Sequence, residues 1–135
     1  MSEKMTQWKG KLSASPYNDR VLPLLSHKVE ILDTTLRDGE QAPGIALSMS
    51  DKIAIAKALD DLGVDEIEAG FSASGKEEKE TLKRIAGLGL TSRVCSLARS
   101  TVSDIDAVID TGLDYIHTFI ATSDIHLERK LKMTK

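Results

Sequence analysis

The sequence predicts an α/β fold of parallel βα units, and three observations carry that expectation. Short apolar, β-competent runs alternate with segments whose apolar residues recur at helical spacing. Glycines punctuate the junctions between them. A weak internal echo links two junctions: Gly63-Val64-Asp65-Glu66-Ile67 resembles Gly112-Leu113-Asp114-Tyr115-Ile116, a glycine closing a helix with a strand following at once. The order β-α-β-α-β-α-β implies parallel strands joined by right-handed crossovers. Four such units make either a small open sheet or half of a (β/α)8 barrel, a fold of about 250 residues.

The elements follow in order. Val29-Glu30-Ile31-Leu32 is the first strand. Ser48 caps a helix with Asp51 in its first turn, where negative charge suits the dipole, and Ile53, Ala56, Leu59 and Leu62 form its apolar stripe. Gly63 stops it. Glu66 to Phe71 is the second strand, and Ser74 to Ala86 a helix with a narrow apolar face of Leu82, Ile85 and Ala86. Its Glu77-Glu78-Lys79-Glu80 run reads as a solvated helix face. Gly87 and Gly89 end this helix and so are not a nucleotide-binding fingerprint. Arg93 to Ala98 is the third strand. Thr101 or Ser103 caps a third helix bearing Ile105, Val108 and Ile109, which Gly112 ends. Tyr115 to Ala121 is the fourth strand, and the amphipathic stretch from Ser123 to Lys135 begins a further element.

Residues 1–27 lack clean periodicity and are rich in turn formers, among them Pro16, Asn18, Asp19 and Pro23. They read as an N-terminal arm anchored by Trp8 and Tyr17, or as a frayed tail; residues 28–135 form the domain proper. The chain has 135 residues, 41% hydrophobic and 29% charged, an ordinary balance for one globular domain and against disorder. With 18 Lys and Arg against 21 Asp and Glu, no basic excess exists to hold nucleic acid or an anionic membrane. Aromatics at 4% argue against base-stacking platforms. No signal or membrane-spanning segment is evident, so a cytoplasmic location is expected. The single cysteine, Cys95, excludes an internal disulfide, and mid-strand it reads as packing.

Ligands of parallel α/β folds gather at the carboxyl ends of the strands. There the most polar stretch is Asp33-Thr34-Thr35-Leu36-Arg37-Asp38-Gly39-Glu40-Gln41. Asp38 offers hard oxygen donors to a divalent metal, and Arg37 can bind a carboxylate or a developing oxyanion. A structural ion-pair and turn network is the competing reading.

Leu32 to Gln41 closely resembles the opening signature of the 2-isopropylmalate, homocitrate and citramalate synthase family. Glu66-Ile67-Glu68-Ala69-Gly70-Phe71, Leu97-Ala98-Arg99 and His117 to His126 resemble its second, third and fourth strand motifs, the last in the form seen in isopropylmalate synthases. The resemblance implies the N-terminal half of a TIM barrel. It implies an acyltransferase condensing acetyl-CoA with a 2-oxo acid, most simply 2-oxoisovalerate in leucine biosynthesis, assisted by a divalent metal (Mg, Mn or Zn). By resemblance Asp38 is a metal ligand and Arg37 stabilises the enolate or alkoxide. Glu68, at the end of the second strand, braces the site catalytically, or pairs structurally with Arg37. His117 contacts the substrate, Leu97 faces its side chain, and Thr122 and Ser123 lie nearby. His126 reads as structural and His27 as exposed.

The family's later His-x-His pair is absent, so the remaining metal ligands lie outside this chain, and the fragment alone is expected to be inactive. Ser72 also departs from the proline that many relatives place there. In a barrel, Ile31, Ile67, Val94 and Ile116 are expected to face inward. A homo-oligomer is expected. The competing functions are a citramalate or homocitrate synthase fragment, a non-catalytic half-barrel that only self-associates, and a flavodoxin-like binding module, which would need a phosphate loop the first strand lacks.

Overall fold

Four parallel strands lie side by side in sequence order, β1-β2-β3-β4, each joined to the next through a helical crossover. The computed structural model describes residues 29–134; the expected arm with Trp8 and Tyr17, and His27, fall outside the described residues. The strands are β1 (Leu32–Asp33), β2 (Glu66–Phe71), β3 (Arg93–Arg99) and β4 (Tyr115–Phe119). The crossover helices are α1 (Met49–Leu62), α2 (Lys76–Ala86) and α3 (Val102–Ile109). Tight turns at Gly39–Gln41 and Ser72–Ser74 follow β1 and β2. Beyond β4, a helical turn at Asp124–His126 widens into a π turn at Leu127–Leu131. Parallel strands in consecutive order are the arrangement of a barrel half.

Local chemistry explains the starts and stops. Ser48 caps α1 in a reciprocal box: its hydroxyl accepts from the Asp51 N–H, and the Asp51 carboxylate accepts from the Ser48 N–H. Gly63 closes α1 at φ 83°, a left-handed conformation costly for any side chain, and Gly112 repeats it at φ 80°. The sequence echo is thus a repeated turn into a strand. Thr101, not Ser103, caps α3, accepting from the Asp104 N–H.

The core lies between sheet and helices. Ile67 and Ala69 of β2 pack with Ala56 of α1, Leu82 and Ile85 of α2, and Leu36 from the loop after β1. Val94 packs against the same cluster. This corrects the expected inward direction of Ile67 and Val94: they face the helices. Alternation along a strand then gives the opposite face to Glu68 on β2 and to its register partner Cys95 on β3. Ile31 is 58% exposed and fills no inner layer.

Other expectations shift for physical reasons. β1 starts three residues later than the apolar run and ends at Asp33, whose carboxylate accepts from the Thr35 N–H at 2.9 Å and turns the chain. The Ile31 N–H is met by the Asp65 carboxylate instead of a strand. Leu62 and Ile109, at the last turns of their helices, are exposed rather than packed. α2 begins at Lys76 because Ser72–Ser74 first makes a tight turn. β4 ends at Phe119, two residues early, where the Ser100 hydroxyl takes the Phe119 carbonyl. The Glu77 to Glu80 run is not wholly solvated: Glu78 accepts from Lys52 and from the Phe71 N–H, and Lys79 pairs with Asp110. Ser72 donates its N–H to Ser96 Oγ at 3.1 Å, a bond that proline could not make. Cys95 is fully buried, and burial pushes its thiol far above the ordinary range.

At the end of β3, Arg99 clamps Asp104 with Nε at 2.7 Å and NH2 at 2.8 Å, and its guanidinium lies 5.7 Å from the centre of the Phe71 ring. The Arg99 side chain holds the Asp104 carboxyl down to about 2, from an ordinary 3.8. A depressed carboxyl contributes stability above its unfolded pKa and loses it as pH falls through the folded value. Asp104→Asn is therefore expected to lower stability at neutral pH, with the gap from the parent closing as pH falls from about 4 toward 2. Urea unfolding across that range checks it; a gap independent of pH would rule out the ion pair as its source.

Candidate active site

The face of the sheet opposite the helices carries the charged residues singled out from the sequence. Glu68 is the centre. It is the third residue of β2, mid-strand rather than at its end, and it is 0% exposed. A buried carboxylate needs partners, and Glu68 has two. Arg37 Nε donates to its Oε2 at 2.7 Å, and His117 Nδ1 meets its Oε1 at 2.7 Å. Because a carboxylate only accepts, Nδ1 is the donor in this bond, and Nε2 is the ring nitrogen left to meet a ligand.

Arg37 arrives from the loop after β1. Successive amide donations from Arg37, Asp38 and Gly39 to the Thr34 carbonyl coil that loop tightly, and Leu36 plugs it into the core. The Arg37 guanidinium thus folds back over the sheet to reach Glu68. Its NH1 also donates to Asp38 Oδ1 at 2.8 Å. Two of its five donors are used among the described residues, which leaves an edge free for an anionic group. Asp38 itself is 65% exposed at the side chain, whereas Arg37 is 19% exposed.

Leu97 completes the wall. It is half-buried on β3, in register with His117 on β4 and with Phe71 on β2. A cleft of about 240 Å³ opens beside Arg37, bordered by Gln41, Gly70 and Phe71. Arg37, Asp38, Glu68 and His117 are therefore joined in one network, with Leu97 as an apolar neighbour. Thr122 has no tie to it, and Ser123 bonds His126 Nδ1 at 2.7 Å beyond the strand.

Asp38 is a chemically suitable hard donor for a divalent cation. Among the described residues no group of three His, Cys, Asp or Glu side chains could hold a metal ion, so these residues do not by themselves make a metal site.

Sequence reasoning missed the buried ion cluster beside this network. Lys52 is 2% exposed, with its Nζ 2.6 Å from both Glu40 Oε2 and Glu78 Oε2. A signal existed: Lys52 lies four residues before Ala56, on the apolar stripe of α1, where a charge has no place unless paired.

Parallel βα units with an Arg–Glu–His network on the face away from the helices define a barrel-type α/β protein with a polar site at its open side. The HMGL-like family matches residues 28–135, and the chain belongs to that family. It is 56% identical over 80% of its length to a 2-isopropylmalate synthase of Methanocaldococcus jannaschii, covering 21% of that protein. It is 60% identical over 82% of its length to a 2-isopropylmalate synthase of Sulfolobus acidocaldarius, covering 29%. It is 45% identical over 90% of its length to a homocitrate synthase of Methanothermobacter thermautotrophicus, covering 31%. The chain thus spans from about a fifth to a third of these relatives' lengths. No helix among the described residues is long and apolar enough to cross a membrane.

Proposed function

We propose that this chain is the N-terminal half of the barrel of a 2-isopropylmalate synthase-like acyltransferase, joining acetyl-CoA to a 2-oxo acid and releasing the CoA thiol. The carrying observation is Glu68, fully buried and shared by Arg37 and His117. Such a network fixes two polar groups on the inner face of the sheet, with Arg37 coming from the loop at the carboxyl end of β1, the end where a barrel gathers its ligands. In the condensation, the acetyl methyl carbon loses a proton to a base outside the described residues. The carbanion equivalent then bonds to the ketone carbon of the oxo acid, whose oxygen becomes an alkoxide and takes up a proton; water then hydrolyses the thioester, which releases the CoA thiol. The free edge of Arg37 neutralises the negative charge on the enolate or alkoxide oxygen. Glu68 holds the guanidinium in place, and His117 Nε2 contacts the substrate. Asp38 would hold a divalent ion together with donors from elsewhere, and such an ion polarises the ketone when bound. A homo-oligomer in the cytoplasm remains part of this reading.

Leu97 supports a substrate with a small branched apolar side chain, such as 2-oxoisovalerate. 2-Oxoglutarate would place a second carboxylate against leucine without a partner, at a cost of several kcal/mol. The full-length protein is expected to use 2-oxoisovalerate with kcat/KM at least about 10²-fold above 2-oxoglutarate. Steady-state kinetics with both acids checks this, and 2-oxoglutarate as the better substrate would move the assignment to a homocitrate synthase.

A further inference from the structure

The Glu40–Lys52–Glu78 cluster borders the cleft beside Arg37 through its two carboxylates. Its geometry ties both sides of the site together. Glu40 sits on the turn after β1, three residues beyond Arg37. Glu78 comes from the first turn of α2, and its Oε1 accepts from the Phe71 N–H at 3.2 Å, at the end of the strand that carries Glu68. One ammonium therefore joins the Arg37 loop to the Glu68 strand. Gly70 makes the approach possible, since a Cβ there would collide with Glu78 Oε1. Exposed ion pairs hold little, but this ammonium is almost wholly buried, and losing it would leave two carboxylates facing each other.

We propose that Lys52 is a positioning residue, which sets the Arg37 guanidinium against Glu68 by bridging Glu40 and Glu78. Apart from this bridge, the loop after β1 is held among the described residues by its own turns, by Leu36 and by the Arg37–Glu68 bond itself. Without the bridge that bond is left to position the loop by itself, and the guanidinium loses its fixed setting. The consequence for turnover rests on the synthase reading; the consequence for the loop does not.

The test is amide hydrogen exchange on the full-length protein, comparing Lys52→Met, Lys52→Arg and Glu78→Gln with the parent. Lys52→Met is expected to speed exchange over residues 35–41 and 71–74 by about tenfold or more, while β3 keeps its protection. Lys52→Arg keeps the charge and should restore most of it. Glu78→Gln keeps an acceptor for Phe71 and should give a smaller change confined to the same segments. In the active enzyme, Lys52→Met should lower kcat by about tenfold or more with KM little changed, as loss of a transition-state contact does. Exchange unchanged in both segments overturns the proposal, as does acceleration spread equally into β3, which would mark a merely structural lysine. A parent protein without synthase turnover would instead overturn the reading of function, with the exchange result still deciding the role of Lys52.

Discussion

Arg37→Met in the full-length protein is expected to lower kcat by about 10²–10³-fold, the loss that follows removal of one oxyanion donor. It should also lower stability by about 3 kcal/mol, because Glu68 is left buried with one partner in place of two. The two effects separate in a second variant. Arg37→Met with Glu68→Leu removes the stranded carboxylate and should recover much of the stability while turnover stays low. Denaturant unfolding and steady-state kinetics on both variants check this. Turnover recovering in step with stability would show that Arg37 serves the fold alone.

Asp38→Ala is the second large expected effect. The side chain is mostly exposed and, among the described residues, makes a single bond, to Arg37, so the fold should tolerate its loss, with a melting temperature close to the parent. Partners one shell out from a metal already cost 10–100-fold on removal, so a direct ligand should cost at least about 10²-fold in turnover. Apparent affinity for Mg or Mn should fall with it. Calorimetric titration of the metal and kinetics at saturating metal measure both. Unchanged affinity and turnover would remove Asp38 from the site.

The helices and strands were largely legible because period and punctuation agreed. Ser48 with Asp51 announced the start of α1, and Gly63 and Gly112 announced two turns into strands. The first strand is shorter than its apolar run because the Asp65 carboxylate takes the Ile31 N–H, and hydrophobicity alone does not report such a side-chain partner. Ile67 and Val94 face the helices, opposite to the inward direction the strand pattern suggests. A run such as Glu66-Ile67-Glu68 alternates cleanly, yet alternation does not say which face the helices cover. Three-dimensional pairing decides it, through the packing of Ile67 on Ala56, Leu82 and Ile85.

The site was legible as a set of residues and not as a network. Arg37, Asp38, Glu68, Leu97 and His117 were all named from motifs. The bond between His117 and Glu68 spans 49 residues and depends on the register of three strands, which no local pattern records. The bridging carboxylates Glu40 and Glu78 were hidden for the same reason. Each looks like a surface charge until Lys52 is seen between them.

In the proposed function the Arg37–Glu68–His117 network serves the condensation of acetyl-CoA with a 2-oxo acid. The most direct measurement is free-thiol release by the purified full-length protein with acetyl-CoA, 2-oxoisovalerate and Mg or Mn, run beside Glu68→Gln. That variant preserves the shape of the side chain and removes the charge shared by Arg37 and His117. Thiol release is expected to require both the oxo acid and the metal, and to fall about 10²-fold or more in the variant at an unchanged substrate preference. Thiol release that needs no oxo acid, or a variant as fast as the parent, would contradict it.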